Sequence, residues 1–546
     1  MSSTLDDVLH TNYVPNEAQV AAIRADIGPR LFQVDALDGE IRALIAQRDE
    51  LVAYINPRVA LVSPCRRLPA EILRKIFMDC LPENSTAAYE PGSAPLLLGR
   101  VCSRWRDVAH GTPELWASIH VPFSFFAREV DRTEALDAWL SRSGTRPLTL
   151  SIVGTQTESR YLNAPPEDPY QPAVVDAALS ILIRHAPRWK HLQLSKLTED
   201  MAYTLLTKTA PAVASVEFMD RIPVTSGSSR VFRSPNLRRL ALILHRPDLY
   251  LWHLPIHWKR IVELSLGDIS GARDAVCAVT LQDVHTILSL CKRLQHFRCV
   301  VNHDAWDAAS SGIPPTAVSV PQLKSFTILS GGYTAPEPHA SATYFWSYIS
   351  SMPSLDMLIV AAKLVPSDAT LLAILTTTPN LRMLTTPRPR SATSLQGILT
   401  ALPRISSLRF TVDTRSNDSF PSDLATSLLE LLTPPTSTLC PHLCALDLPR
   451  CAPVPSSTIR TFLYAHLSAL TPLRQLRVHF TEGQEEPILS QEEEEVFRAA
   501  QRVWGSFSFT RKRDQLRPRP TPGFGTRAAE GRQGYSDYCA GMRNLY

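Results

Sequence analysis

Apolar positions along this chain follow three different spacings, and each spacing predicts a different kind of element. Val34, Leu37, Ile41, Leu44, Arg48, Leu51 and Ile55 alternate steps of three and four, a heptad seam with one arginine in it. This predicts a short helix over 34–57, behind a flexible 1–33 and stopped by Asn56-Pro57. Such a seam serves either self-association or packing within its own chain, and its shortness and interior Arg48 favour packing. A second pattern begins at Leu68. Leu68, Ile72, Leu73, Ile76, Phe77 and Cys80 form a helical stripe with Pro69 at its first turn, where a missing N–H costs little. Leu97, Leu98, Val101, Cys102, Trp105, Val108 and Ala109 repeat that spacing up to Gly111. Thr112, Pro113 and Glu114 then read as the start of a third short helix leading into Leu115 and Trp116. The Pro82–Pro95 segment, rich in Pro, Ser and Ala, reads as a surface loop.

The third pattern is a repeat. The motif apolar-x-x-apolar-x-apolar occurs eleven times, at Trp189-Leu192-Leu194, Val213-Val216-Phe218, Leu237-Leu240-Leu242, Ile261-Leu264-Leu266, Leu294-Phe297-Cys299, Leu323-Phe326-Ile328, Leu355-Leu358-Val360, Leu381-Leu384-Thr386, Ile405-Leu408-Phe410, Leu443-Leu446-Leu448 and Leu473-Leu476-Val478. Proline stands two residues ahead of most copies, and a helical pattern fills most of the intervals. One strand and one helix per interval cannot bury their apolar faces alone, so neighbouring copies must stack. The segment before the repeats predicts a strand at IHVPFSFF, a helix around Ala135–Leu140, a strand at Leu148–Val153 and a polar, proline-rich loop from Gly154 to Pro172.

Leu68-Pro69, Glu71-Ile72-Leu73, Ile76-Phe77, Val101-Cys102, Trp105-Arg106, Pro113 and Leu115-Trp116, in that order, resemble an F-box. The resemblance implies docking to a Skp-family adaptor and through it to a cullin, with Leu68, Pro69, Ile72, Leu73, Ile76 and Trp105 as the adaptor-binding residues. About fifty residues in three short helices lie near the lower limit for an independent core, which suits a docking element. The repeats resemble divergent leucine-rich repeats, without the Asn of the regular form and with unequal intervals. An F-box followed by such repeats is similar to the substrate-recognition subunits of cullin-based ubiquitin ligases, particularly the irregular F-box families expanded in mushroom-forming fungi.

Composition changes this picture little. Lys and Arg number 56 against 52 Asp and Glu, a formal +4, so charge does not point to nucleic acid. The first twenty residues lack the basic start and apolar run of a signal peptide, and the chain has no long uncharged apolar stretch. An intracellular protein of cytoplasm or nucleus, with no membrane partner, is therefore expected. Pro at 44 exceeds Gly at 21 and implies many punctuated short elements. Cys440, His442, Cys444 and Cys451 offer zinc-type donors, but in no paired CxxC spacing; their places around one strand unit account for them without metal. No phosphate loop, nucleophile elbow or HExxH helix occurs, and nothing in the sequence pairs groups for acid/base work.

The expected fold is α/β: an F-box module at 64–120, a connecting segment at 121–172, a leucine-rich-repeat-like solenoid with a curved parallel sheet at 173–480, and an acidic then basic, disordered tail at 481–546. The expected function is that of an adaptor with no catalytic role and no cofactor. Charged residues flanking the strand leucines point to the concave face of such an array, which nominates Glu217, Arg298, Arg409, Asp447, Arg477 and His479 as target-binding, facing a partner with an acidic patch near the C-terminal end. Two other classes fit the same sequence: an interaction scaffold outside ubiquitination, and a hydrolase or transferase on a doubly wound α/β core.

Overall fold

The computed structural model describes residues 11–82, 86–126, 130–154, 172–221, 229–243, 251–267, 279–301, 316–330, 340–361, 364–365, 367–411, 419–434, 439–452, 454–469, 471–480 and 506–511. The chain divides into two compact units, Met1–Asp79 and Cys80–Tyr546.

In the first unit the heptad pattern lies inside a much longer helix, α1 (Glu17–Val62). Its start is a capping box. Asn16 Oδ1 accepts from the Gln19 amide at 2.9 Å while Gln19 Oε1 accepts from the Asn16 amide at 3.0 Å. The expectation of a flexible 1–33 thus fails from Glu17 onward, and residues 1–10 lie outside the described residues. Asn56-Pro57 does not stop the helix either. Arg58 stacks 3.3 Å above the Tyr54 ring and donates to the Tyr54 carbonyl at 2.7 Å, bracing the turn that Pro57 interrupts. The preference for a seam packed in its own chain is also overturned, since Val34, Leu37, Ile41, Leu44, Leu51 and Ile55 are all exposed. A 3₁₀ turn at Pro64–Arg67 leads to α2 (Ala70–Asp79), where the Pro69 carbonyl accepts from Ile72 and Leu73. Pro69 therefore sits just outside the first turn.

The second unit opens with a loop that is partly packed, not a plain surface excursion. Ala87 is buried, its carbonyl accepts from the His120 amide at 2.8 Å, and Tyr89 lies edge-on to Phe126 at 5.3 Å. The predicted second helix is two, α3 (Leu98–Val101) and α4 (Ser103–His110), because Cys102 is extended (φ −161°, ψ 169°) and caps α4 by accepting the Trp105 amide on its sulfur. The third is a 3₁₀ turn, Pro113–Trp116. Trp116 is buried edge-on to Trp139 at 5.0 Å and donates its indole N–H to the Ala109 carbonyl at 2.8 Å.

From there the chain builds one large sheet. Its strands are β1 (Ser118–Pro122), β2 (Leu148–Val153), β3 (Trp189–Ser195), β4 (Ser215–Arg221), β5 (Arg239–Ile243), β6 (Glu263–Leu266), β7 (His296–Val301), β9 (Ser325–Ser330), β11 (Met357–Val360), β12 (Met383–Pro387), β13 (Ser407–Thr411), β14 (Ala445–Cys451), β15 (Gln475–Phe480) and β16 (Ser506–Arg511). Two short pieces, β8 (Val318–Ser319) and β10 (Ile349–Ser351), form a separate two-stranded sheet among the described residues. The fourteen strands of the main sheet lie side by side in chain order, every pairing is parallel, and the sheet is not closed. Phe123–Phe126, which the apolar run IHVPFSFF assigned to the strand, is instead a helical turn, α5. β16 is the other departure: Ser506–Arg511, read as disordered tail, adds a strand to β15. Residues 481–505 and 512–546 of that tail lie outside the described residues.

All eleven repeat motifs carry a strand of this sheet. Their second apolar positions are hydrogen-bond register partners from one end to the other, Leu192 to Val216, Leu240, Leu264, Phe297, Phe326, Leu358, Leu384, Leu408, Leu446 and Leu476. Each of these is buried. The residue after each, on the other face, is half-buried or exposed, as alternation along a strand requires, except Thr327, which is buried. Helices fill the intervals: α6 (Val130–Arg142), α7 (Pro172–Arg184), α8 (Glu199–Leu206), α9 (Leu281–Leu290), α10 (Ala340–Ser347), α11 (Asp368–Thr376), α12 (Ala392–Thr400), α13 (Ser422–Leu432) and α14 (Ser456–Ser468). Crossovers between parallel neighbours share one hand, so a strand order that never reverses puts its helices on one face and leaves the other open. The order also lacks the reversal at which a doubly wound sheet makes its ligand crevice.

The prolines have a local role. The amides of Val213, Leu237, Leu323, Leu355, Leu381, Ile405 and Leu443 each close a turn onto the carbonyl three residues back, at 3.0–3.3 Å. In every one the second residue is proline (Pro211, Pro235, Pro321, Pro353, Pro379, Pro403 and Pro441), the position where its fixed φ is already correct and no N–H is needed. Proline thus hands the chain into the strand at a fixed point of the repeat. Among the described residues no helix is long and apolar enough to cross a membrane.

Leu384 and Thr385 test the two faces on one strand, the first buried and the second half-buried. Leu384→Ala should destabilise by about 2–5 kcal/mol and Thr385→Ala by no more than about 0.5 kcal/mol. Urea midpoints of the two variants check this, and equal shifts would place the core elsewhere.

Candidate functional site

Two surfaces present side chains for recognition. The first is on α2, which has two apolar faces. Leu73 and Phe77, four apart, are 0% exposed, whereas Ile72 and Ile76, also four apart and one position earlier, are 41% and 40% exposed. Met78 is exposed as well. This helix of ten residues thus buries one apolar pair and leaves another bare. Of the residues nominated for adaptor binding, Pro69, Ile72 and Ile76 are exposed and Leu68 and Trp105 half-buried. Leu73 is the exception, being fully buried. In the second unit, Leu97 and Val101 make another exposed pair four apart, at 44% and 55%.

The second surface is the open face of the sheet. Register brings Gln193, Glu217, Ala241, Ser265, Arg298, Thr327, Ile359, Thr385, Arg409, Asp447 and Arg477 into one continuous row. Five of the six nominated target-binding residues stand in it. The sixth, His479, lies two residues beyond Arg477 on β15, opposite Thr510. Arg409 does not offer a free cation, because its guanidinium bonds Asp447 at 2.8 and 2.9 Å. Arg409, Asp447 and Arg477 together carry one net positive charge, so the expected acidic partner at this end loses much of its basis. Arg298 differs: its Nε is buried and has no hydrogen-bond partner among the described residues. A buried donor in that state favours an arriving acceptor.

A second row on the same face, two residues earlier, escaped the sequence reading. It runs His191, Ser215, Arg239, Glu263, His296 and Ser325, with Arg239 paired to Glu263 at 3.4 Å. The signal was available, because residues two apart on a strand share a face. Burial lowers the pKa of His191, helped by Lys190 and Arg239, and burial lowers that of His296 against the pull of Glu263. Among the described residues no three His, Cys, Asp or Glu side chains gather as a metal would need. In the cysteine cluster, Cys440 and Cys451 are buried with thiols pushed up to about 12 by desolvation, and Cys444 is exposed.

Residues 65–122 match the F-box-like family model. The match takes in α2, α3, α4, the Pro113–Trp116 turn and β1. No curated protein is similar enough to the chain to match it.

The clearest titration lies behind the sheet. His466 on α14 is buried, its Nε2 donates to the Leu432 carbonyl at 3.0 Å and its Nδ1 lies 2.7 Å from Thr471 Oγ1. Burial depresses its pKa from 6.5 to about 4. The unfolded chain then binds a proton below about 6.5 that the folded chain refuses until about 4, and stability falls as pH drops through that window. Thermal midpoints taken from pH 7 to pH 4 should decline, and His466→Gln should shallow the decline; an unchanged slope would show that this ring is not the proton acceptor.

Proposed function

We propose that this protein is the target-recognition subunit of an SCF-type cullin ubiquitin ligase. The observation that carries the reading is the bare Ile72–Ile76 pair on α2, in a segment that matches the F-box-like family. A Skp-family adaptor would cover Pro69, Ile72 and Ile76 directly, with Leu68 and Trp105 at half-buried positions and Leu73 holding the helix from behind. Burying a large aliphatic side chain contributes about 1.5–3 kcal/mol, so two or three of them give useful affinity without any charge. The sheet then acts as a leucine-rich-repeat-like solenoid, curved as stacked repeats are, and holds a target on its open face through Glu217, Arg298, Arg409, Asp447, Arg477 and His479. The protein itself catalyses nothing; it raises the effective concentration of target lysines near a ubiquitin carrier supplied by other subunits.

The test is co-expression with a Skp-family adaptor, followed by pull-down, for wild type and an Ile72→Asp, Ile76→Asp double variant. Both side chains are exposed, so the thermal midpoint should hold while adaptor capture drops at least tenfold. Leu73→Asp serves as the contrast and should lower the midpoint sharply. A wild type that captures no adaptor would sink the proposal and leave an interaction scaffold outside ubiquitination.

A further inference from the structure

Helix α1 carries a surface that neither the sheet nor the adaptor reading uses. Extended along the whole helix, the heptad places Val20, Ile27, Val34, Ile41, Arg48, Ile55 and Val62 at a, and Ile23, Arg30, Leu37, Leu44, Leu51 and Arg58 at d. From Val34 to Ile55 the division is clean: β-branched residues or Arg48 at every a, leucine at every d. The six apolar side chains of that stretch are 49–63% exposed. They form a line about 32 Å long at 1.5 Å per residue. A bare stripe of this length has too little to hold a helix in water by itself, so something covers it.

Residue type says what. β-branched side chains at a with leucine at d fit the packing angles of two parallel strands, and a polar side chain at a single a position fixes their register. We propose that α1 pairs with α1 of a second copy of this chain as a parallel, in-register two-stranded coiled coil.

Three arginines on the seam are the apparent obstacle, and the structure removes it. Arg48 turns its head to Asp49, with Nε at 2.9 Å from Oδ1, leaving its methylene stem on the seam. Arg30 reaches back to Asp26 at 3.7 Å, and Arg58 lies flat on Tyr54. Each charge is already drawn aside by a neighbour on its own helix. Pro29 and Pro57 both fall at c, on the outer side of a pair, where neither ring nor missing N–H meets the partner. Ile45 and Val52, at e, widen the apolar contact.

The full chain in light scattering coupled to size exclusion should show twice the 60.6 kDa of one copy at micromolar concentration. Leu44→Asp should give the single-copy mass with the thermal midpoint of the rest unchanged. Arg48→Ile, which makes every a position apolar, should tighten the pair at least tenfold in dissociation constant, a gain that a merely unfolded α1 cannot give. Leu37→Cys should form an interchain disulfide on mild oxidation beyond the wild-type background, since only a parallel, in-register pair brings the two d positions opposite each other. A wild type that stays at the single-copy mass, a three-copy mass, or an absent Leu37→Cys crosslink would each overturn the proposal.

Discussion

The constraint on which the second unit depends is that no repeat can bury its own leucines. One strand of four to seven residues and one helix of about ten cover too little surface, so each apolar side chain is finished by the copies on either side. Parallel pairing in chain order meets that need, because each strand both donates and accepts along each of its two edges and so joins the copies on either side. The row from Leu192 to Leu476 is its outcome, eleven side chains in register and all buried. Cys299, Ile328 and Val360 make a second buried row two residues further along. Stability in such an array accumulates between neighbours, and a cavity in one strand is felt first by the two beside it.

Much of this was legible in the sequence because the repeat imposes a local rule at every copy. Three apolar positions and one proline fix where each strand begins, and no long-range information is needed to phase them. The open-face row was legible for the same reason, through strand parity. What failed were places where composition stood in for pattern. The tail was judged by its Gly, Pro and charge, which hid the alternation Ser506-Phe507-Ser508-Phe509 inside it. Asn56-Pro57 was judged by a dipeptide rule, whereas Arg58 braced on Tyr54 carries α1 past it. Contacts between distant residues were invisible from the start: nothing near Arg409 in sequence announces Asp447, which sits 38 positions away and takes up its charge.

The helical segment shows how burial, not hydrophobicity, separates support from contact. Leu73 and Ile72 are equally apolar and adjacent, so no sequence argument divides them. A 100° turn of the helix does: one is fully buried and the other 41% exposed. Substitution at the first opens the core, whereas substitution at the second changes a side chain at the surface.

An array of stacked repeats leaves a raw edge at each end, and an unpaired parallel edge invites further strands. At the N-terminal edge the Ala87 carbonyl accepts the His120 amide, with Ala87 itself buried and Tyr89 packed among Phe125, Phe126 and Trp139. The loop between α2 and α3, which composition would assign to the surface, is therefore drawn in to close the outer side of β1. Trp116 and Trp139 fill the space below it, and the buried Leu115 and Ile119 continue the same core. The F-box-like match, which ends on β1, thus supplies in its second part the cap that the first repeat lacks. The aromatic part of the matched segment terminates the sheet. A substitution that loosens the aromatic part would expose the edge of β1 and the buried row behind it.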